Sequence, residues 1–340
     1  MPSVLGQLLP ATTAALLALA AACARSTDTS PPADVAAGAL SHLPATIELG
    51  GTRPATLRLP PRATASQRAP LLVLLHGFGS SGANHTRFFA VTEAARARGF
   101  RVVAPDGTLD GQGRRFWNAT AACCDLEGRD PDDVGYVLAL IDEAIAQAGV
   151  DPQRVHLLGH SNGGFLALRL AREHAGRINS ATSVAGAGAA AGEAGAGRTR
   201  ILQIHGSADA LIHLEGGRFG APYPPAPQTV ERWAERNGCS QATRERGTLD
   251  LDESVPGDET RRSAHAACPA GAAAELWVMT GSGHVPRFGP DFARAVLDWM
   301  EPSLDTSAIP PVEPITVPAA SGQAVDHSLS PAGPDLPESP

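Results

Sequence analysis

Short, largely apolar runs alternate along the chain with longer stretches in which apolar residues recur at helical spacing. Pro70 to Leu75 is continuously apolar, the pattern of a strand buried on both faces. Phe100 to Ala104, Val155 to Leu158, Ala181 to Val184, Arg200 to Ile204 and Leu276 to Met279 read as further strands. Helices are predicted over Phe88 to Gly99, from Asp132 or Asp133 to Gly149, from Phe165 onward, over Val230 to Arg236 and over Asp291 to Met300. In the second of these, Val134, Val137, Leu138, Ile141, Ile145 and Ala148 share one face. Thr46 to Leu49 and Ala55 to Leu59 predict edge strands joined at Gly50-Gly51, and Pro60 to Ala69 a polar loop. The alternation predicts an α/β fold with a mostly parallel sheet and helices on both faces. Such sheets bind ligands at the C-terminal ends of their strands. Polar clusters at His76, Ser161, Asp209 and His284 all stand at those ends.

The pattern fails at both ends of the chain. Leu8 to Ala22 is mostly Ala and Leu, too short to span a bilayer but suited to an export signal. Leu19-Ala20-Ala21-Ala22-Cys23 resembles a lipoprotein box that would place a lipid on Cys23, whereas Ala22-Cys23-Ala24 would suit ordinary signal cleavage. The expected organisation is an export signal over 1–23, a linker over 24–42, a catalytic domain over 43–301 and a disordered, Pro-rich acidic tail over 302–340. The product would be secreted, or alternatively held at the cell envelope by a lipid, the one membrane contact expected.

Composition narrows the partners. The 340 residues are 43% apolar, enough for a sizeable core, and the formal charge of −8 with no basic block argues against nucleic acid. Of the five cysteines, Cys123, Cys124, Cys239 and Cys268 remain once Cys23 is set aside, an even number that fits an oxidising compartment. Cys123 and Cys124 could bridge each other or distant partners. Cys239 and Cys268 enclose a polar segment that reads as poor in strands, and a bridge there would contribute about 3 kcal/mol. No C-x-x-C or Cys/His set suits a metal.

The chemistry centres on Gly159-His160-Ser161-Asn162-Gly163, a G-x-S-x-G turn between a predicted strand and a predicted helix. A serine on such a turn stands above the sheet edge, and the helix behind it favours negative charge. The hydroxyl needs a base, and the base an orienting acid. In α/β-hydrolases the order along the chain is Ser, Asp or Glu, His, and Ser161, Asp209 and His284 follow it. His76 and His205 precede glycines and read as loop braces, while His160 should point away from the serine. Asp106, Asp151 and Asp298 compete less well with Asp209 because they fall in turns or inside a helix. The oxyanion donors would be the backbone N–H groups of Asn162 and, from the His76-Gly77-Phe78-Gly79 loop, Phe78.

Taken with Pro105-Asp106-Gly107-Thr108, Trp117-Asn118, Cys123-Cys124, Asp132-Asp133-Val134-Gly135, His205-Gly206-Ser207-Ala208-Asp209 and Gly283-His284, these motifs resemble the polyhydroxybutyrate depolymerase and feruloyl esterase group of secreted α/β-hydrolases. The resemblance runs from about Thr46 to Met300. It implies hydrolysis of carboxylic esters through an acyl-serine, with no metal or cofactor, and a small-molecule or oligomeric ester as partner. It also implies pairing of Cys239 with Cys268. Trp117 and His160 are the candidate substrate contacts. The family's G-H-x-W-P run is here Gly283-His284-Val285-Pro286-Arg287, without the tryptophan. No second binding module is apparent, which favours soluble or small esters. The competing readings are a peptidase of the same fold and a catalytically silent surface lipoprotein.

Overall fold

The computed structural model describes residues 42–188 and 197–302. The export segment, the linker up to residue 41, most of the Gly/Ala-rich stretch before Gly197 and the Pro-rich tail beyond 302 lie outside the described residues.

The chain opens with the hairpin β1 (Thr46–Leu49) and β2 (Ala55–Arg58), then β3 (Ala69–Leu75), α1 (Gly82–Phe89), α2 (Thr92–Ala97) and β4 (Arg101–Val103). A small hairpin, β5 (Thr108–Leu109) and β6 (Arg115–Phe116), precedes α3 (Asp133–Ala148). The strand β7 (Val150–His160), α4 (Asn162–Glu173), β8 (Ser180–Val184) and β9 (Arg200–Gly206) follow. After a second small hairpin, β10 (Gly217–Arg218) and β11 (Pro222–Tyr223), come α5 (Ala226–Asn237), β12 (Thr243–Leu249), β13 (Thr260–His265), β14 (Ala273–Met279) and α6 (Pro290–Met300).

The main sheet runs β1-β2-β4-β3-β7-β8-β9-β14-β13-β12. The strands from β4 to β14 are mutually parallel, and an antiparallel pair closes each edge. The continuous apolar run of β3 has a simple cause. Leu71, Val73 and Leu75 enter one core, with residues of α3, α4 and α5, while Leu72 and Leu74 enter the other, with residues of α2 and α6. A central strand covered on both faces has no solvent side to leave polar.

Two expectations are corrected. The helix predicted over Phe88 to Gly99 is two helices, parted where Ala90 takes a left-handed conformation (φ 51°) that lets both Phe89 and Val91 bury. Its first helix starts earlier because Ser81 caps it, its side chain accepting from the Asn84 N–H at 3.2 Å. The segment between Cys239 and Cys268 is not strand-poor: it carries β12 and β13. β12 is exposed almost throughout, so no apolar alternation betrays it; backbone pairing with β13 and a bulge near Gly247 shape it. Two disulfides are present: Cys239–Cys268 joins the loop after α5 to the loop after β13, and Cys123 bonds Cys124.

Candidate active site

Ser161 stands where β7 turns into α4, with φ 52° and ψ −120°. That region is sparsely populated for a side-chain-bearing residue, and holding it costs about 1–3 kcal/mol. Two glycines make the turn passable. A Cβ on Gly159 would lie 2.1 Å from the Gly163 carbonyl oxygen, and one on Gly163 would lie 2.2 Å from that of Leu75. The Ser161 N–H donates to Val184 O at 2.8 Å, which ties the turn to β8.

The candidate base and acid arrive on loops from two adjacent parallel strands. His284 follows β14 and Asp209 follows β9. The loops touch closely: Ala208 N–H donates to Ser282 O at 3.0 Å, Gly281 N–H to Ser207 Oγ at 2.9 Å, and a Cβ on Gly206 would lie 2.3 Å from Ser282 O. His284 Nε2 is 3.0 Å from Ser161 Oγ, and its Nδ1 is 2.8 Å from Asp209 Oδ2. The other Asp209 oxygen accepts the N–H groups of Leu211 and Ile212, each at 2.9 Å. Burial alone would raise the Asp209 pKa, but hydrogen bonds from His205 and His284, the charge of His284 and the Ile212 N–H outweigh it and hold the carboxyl well below the usual range. The direct contact from His205 is the weaker of the two: its Nε2 lies 3.5 Å from Asp209 Oδ2 and donates at 2.7 Å to Ile212 O instead.

The rival residues are engaged elsewhere. Asp106 accepts the Gly82 N–H and pairs with Arg115, Asp151 caps its own turn at Gln153, and Asp298 pairs with Arg98. His76 braces two loops: its Nε2 accepts from Gly107 N–H at 2.8 Å and its Nδ1 donates to Gly77 O at 2.8 Å. Burial pushes its pKa down to about 4. The Phe78 and Asn162 backbone N–H groups have no protein acceptor among the described residues, as oxyanion donors require. The Asn162 side chain is spent structurally, accepting from Trp117 N at 2.7 Å and donating to Trp117 O at 2.9 Å.

The two candidate substrate contacts separate. Trp117 is wholly buried, donates from Nε1 to His76 O at 2.9 Å, and does not line the cleft at Ser161. It is a strut under the glycine loop, which corrects the expectation. His160 does line the cleft, but its Nε2 donates to the backbone carbonyl of His284 at 2.8 Å. Burial, reinforced by the charge of His284, brings its pKa down to about 3.

Two supporting residues escaped the sequence reading. His85 lies 3.2 Å from His160 Nδ1 and accepts the Gly77 N–H at 3.2 Å, with its pKa pushed down to about 2 chiefly by burial. Asp252 accepts from Ser254 N–H, Ser254 Oγ, Ser282 Oγ and the Arg287 N–H, clasping both flanks of His284. Burial would raise its pKa, yet the hydrogen bonds from Ser254, Ser282 and Arg287 lower it overall. A lone carboxylate in a polar segment gives no sequence signal; only the fold brings it beneath the histidine loop.

The cleft above Ser161 has a volume of about 350 Å³. Phe78, Phe88, Ile212 and both sulfur-bearing residues of the Cys123–Cys124 pair line it, and no Asp, Glu or Arg does. The geometry suits attack by a serine oxygen on an uncharged carbonyl, with proton transfer to a histidine and charge developing towards two backbone N–H groups.

Residues 70–203 match a family model described as the alpha/beta hydrolase fold. NocK of Nocardia uniformis subsp. tsuyamanensis, an esterase by name, is 34% identical over 216 residues, covering 58% of this chain and 61% of that protein. Feruloyl esterase B of Piromyces equi is 27% identical over 256 residues, covering 71% of this chain and 45% of that one. The chain thus spans less than two thirds of the length of either relative. The solved acetyl xylan esterase from Aspergillus awamori shares the fold, with a TM-score of 0.53 at 14% identity over 76% of this chain and 99% of its own. The parallel sheet, the strained serine turn and the matched family model agree on the α/β-hydrolase fold, and the relatives named here are esterases by name.

Proposed function

We propose that the protein is a serine esterase that hydrolyses carboxylic esters through an acyl-serine intermediate, without metal or cofactor, in the manner of the feruloyl esterases and polyhydroxybutyrate depolymerases. One observation carries the reading: an unbroken hydrogen-bonded chain from Ser161 Oγ through His284 to Asp209 at the floor of an uncharged cleft.

In the first half-reaction, Ser161 Oγ bonds to the ester carbonyl carbon as its proton passes to His284 Nε2. The carbonyl π pair moves onto oxygen, which lies against the Phe78 and Asn162 N–H groups. Asp209, kept ionised, stabilises the imidazolium. The tetrahedral intermediate collapses, the C–O bond to the alcohol breaks, and His284 returns the proton to the departing oxygen. Water then repeats the sequence on the acyl-serine, its proton taken by His284, and releases the acid. Export is part of the proposal, because the apolar run Leu8 to Ala22 and the two disulfides both suit an oxidising compartment. Mass spectrometry of the mature protein separates simple signal cleavage from a lipid on Cys23.

The test is turnover of p-nitrophenyl acetate with a fluorophosphonate label as active-site count. Ser161→Ala should abolish both, and Asp209→Asn should lower kcat by about four orders of magnitude. A folded Ser161→Ala protein that keeps wild-type turnover would sink the assignment. Cleavage of a peptide in preference to any ester would make it a peptidase on the same site.

A further inference from the structure

Among the described residues, five large apolar side chains are exposed: Leu109, Leu126, Leu211, Phe219 and Val285. Three of them, Leu211 at 51% exposure, Phe219 at 41% and Val285 at 68%, line the one cleft that holds Ser161. Single exposed apolar residues need no explanation, but their gathering around one opening marks a surface that is covered in use.

Two of the three are tied to the proposed reacting groups, and the third to the loop beside the cleft. Leu211 sits two residues past Asp209, and its own N–H donates to that carboxylate at 2.9 Å. Val285 is the residue after His284. Phe219 caps the β10–β11 hairpin, where Phe219 N–H donates to Ala221 O at 3.3 Å and Gly220 N–H to Ala122 O at 2.9 Å, in the loop that carries the Cys123–Cys124 bond. Their positions are therefore held by the loops that frame the cleft. No charged Asp, Glu or Arg side chain joins them in the cleft lining. A substrate portion that carried charge here would lose water without gaining a partner.

Resting on the esterase reading for its chemistry, but not for its binding, we propose that Leu211, Phe219 and Val285 form an apolar collar that grips an extended neutral alkyl or aryl group of the ester. The collar is a specificity element. It favours esters whose apolar group reaches past the inner cleft and disfavours those carrying charge near the scissile bond.

The experiment pairs a kinetic ratio with a binding constant. The kcat/KM ratio for p-nitrophenyl hexanoate over p-nitrophenyl acetate is measured in the full chain and in the Leu211→Ser/Phe219→Ser/Val285→Ser variant. The Kd of p-nitrophenyl hexyl ether, which has no ester to cleave, is measured in both. All three side chains are solvent-exposed, so the variant keeps its core, and circular dichroism checks the fold. The ratio should fall about tenfold or more, and the ether should bind about tenfold more weakly. An unchanged Kd with an unchanged ratio overturns the collar. Ether binding that depends on the collar in a wild-type protein cleaving no ester would overturn the esterase reading and leave the collar standing.

Discussion

His160 Nε2 donates a 2.8 Å hydrogen bond to the backbone carbonyl of His284, so the residue before Ser161 holds the main chain of the proposed base. Because a carbonyl can only accept, that nitrogen carries the ring's proton. Burial, with a pKa near 3, keeps the ring neutral and this arrangement fixed at working pH. His160→Ala should lower kcat on p-nitrophenyl acetate about tenfold to a hundredfold with KM nearly unchanged, because small displacements of a catalytic group are costly. His160→Gln, which retains a donor, should recover part of the loss. A raised KM at unchanged kcat would instead make His160 a substrate contact.

Trp117 should behave as a strut. Trp117→Phe removes the donor to His76 O and leaves a buried carbonyl without it, a loss of about 1–3 kcal/mol. The expected result is a lower denaturation midpoint with KM for short esters unaltered. A selective rise in KM for bulky esters, without loss of stability, would make Trp117 a substrate contact.

Much of this site was legible because its parts sit where strands stop. Ser161, Asp209 and His284 each follow a short, largely apolar run that reads as a parallel strand, so their convergence follows from the fold. The supporting residues were not legible for the same reason inverted. Asp252 lies just past β12, a strand exposed along nearly its whole length, whose polar sequence carries no period. His85 lies on a helix whose start depends on Gly82, where a Cβ would meet the Ala104 carbonyl oxygen at 2.0 Å, a contact that exists only in three dimensions. Trp117 is a candidate substrate contact only through the Trp117-Asn118 motif of the resemblance, and its burial decides against that role.

Asp252 should matter to the base rather than to the substrate. It accepts hydrogen bonds from Ser282 and Arg287, on either side of His284. Asp252→Asn replaces one acceptor oxygen by a donor, so part of this clasp opens. The expected outcome is a fall in kcat of about tenfold, an unchanged KM and a lower melting temperature. Equal kcat in the folded variant would show that the Gly206–Ser282 approach alone holds the loop.

The buried histidines predict how stability depends on pH. His76, His85 and His160 have folded pKa values pushed down to about 4, 2 and 3, chiefly by burial. In the unfolded chain each titrates near 6.5. Between those limits the unfolded state binds protons that the folded state refuses, so unfolding is favoured as pH falls. The contribution is fully present above about pH 6.5 and is lost progressively towards pH 4, with a slope of about 1.4 kcal/mol per pH unit for each histidine. Asp209 acts in the same sense but lower: its depressed pKa stabilises the fold above about pH 4, and that stability is lost as pH falls towards the folded value. The melting temperature should therefore be flat above pH 7 and fall steeply between pH 6.5 and 4. His85→Gln, which removes the most strongly shifted of these three rings, should make that fall shallower even if its melting temperature at pH 8 is lower. A melting temperature independent of pH from 7 to 4 would mean that these rings are hydrated or protonated in the folded protein, and the neutral His160–His284 brace would fall with them.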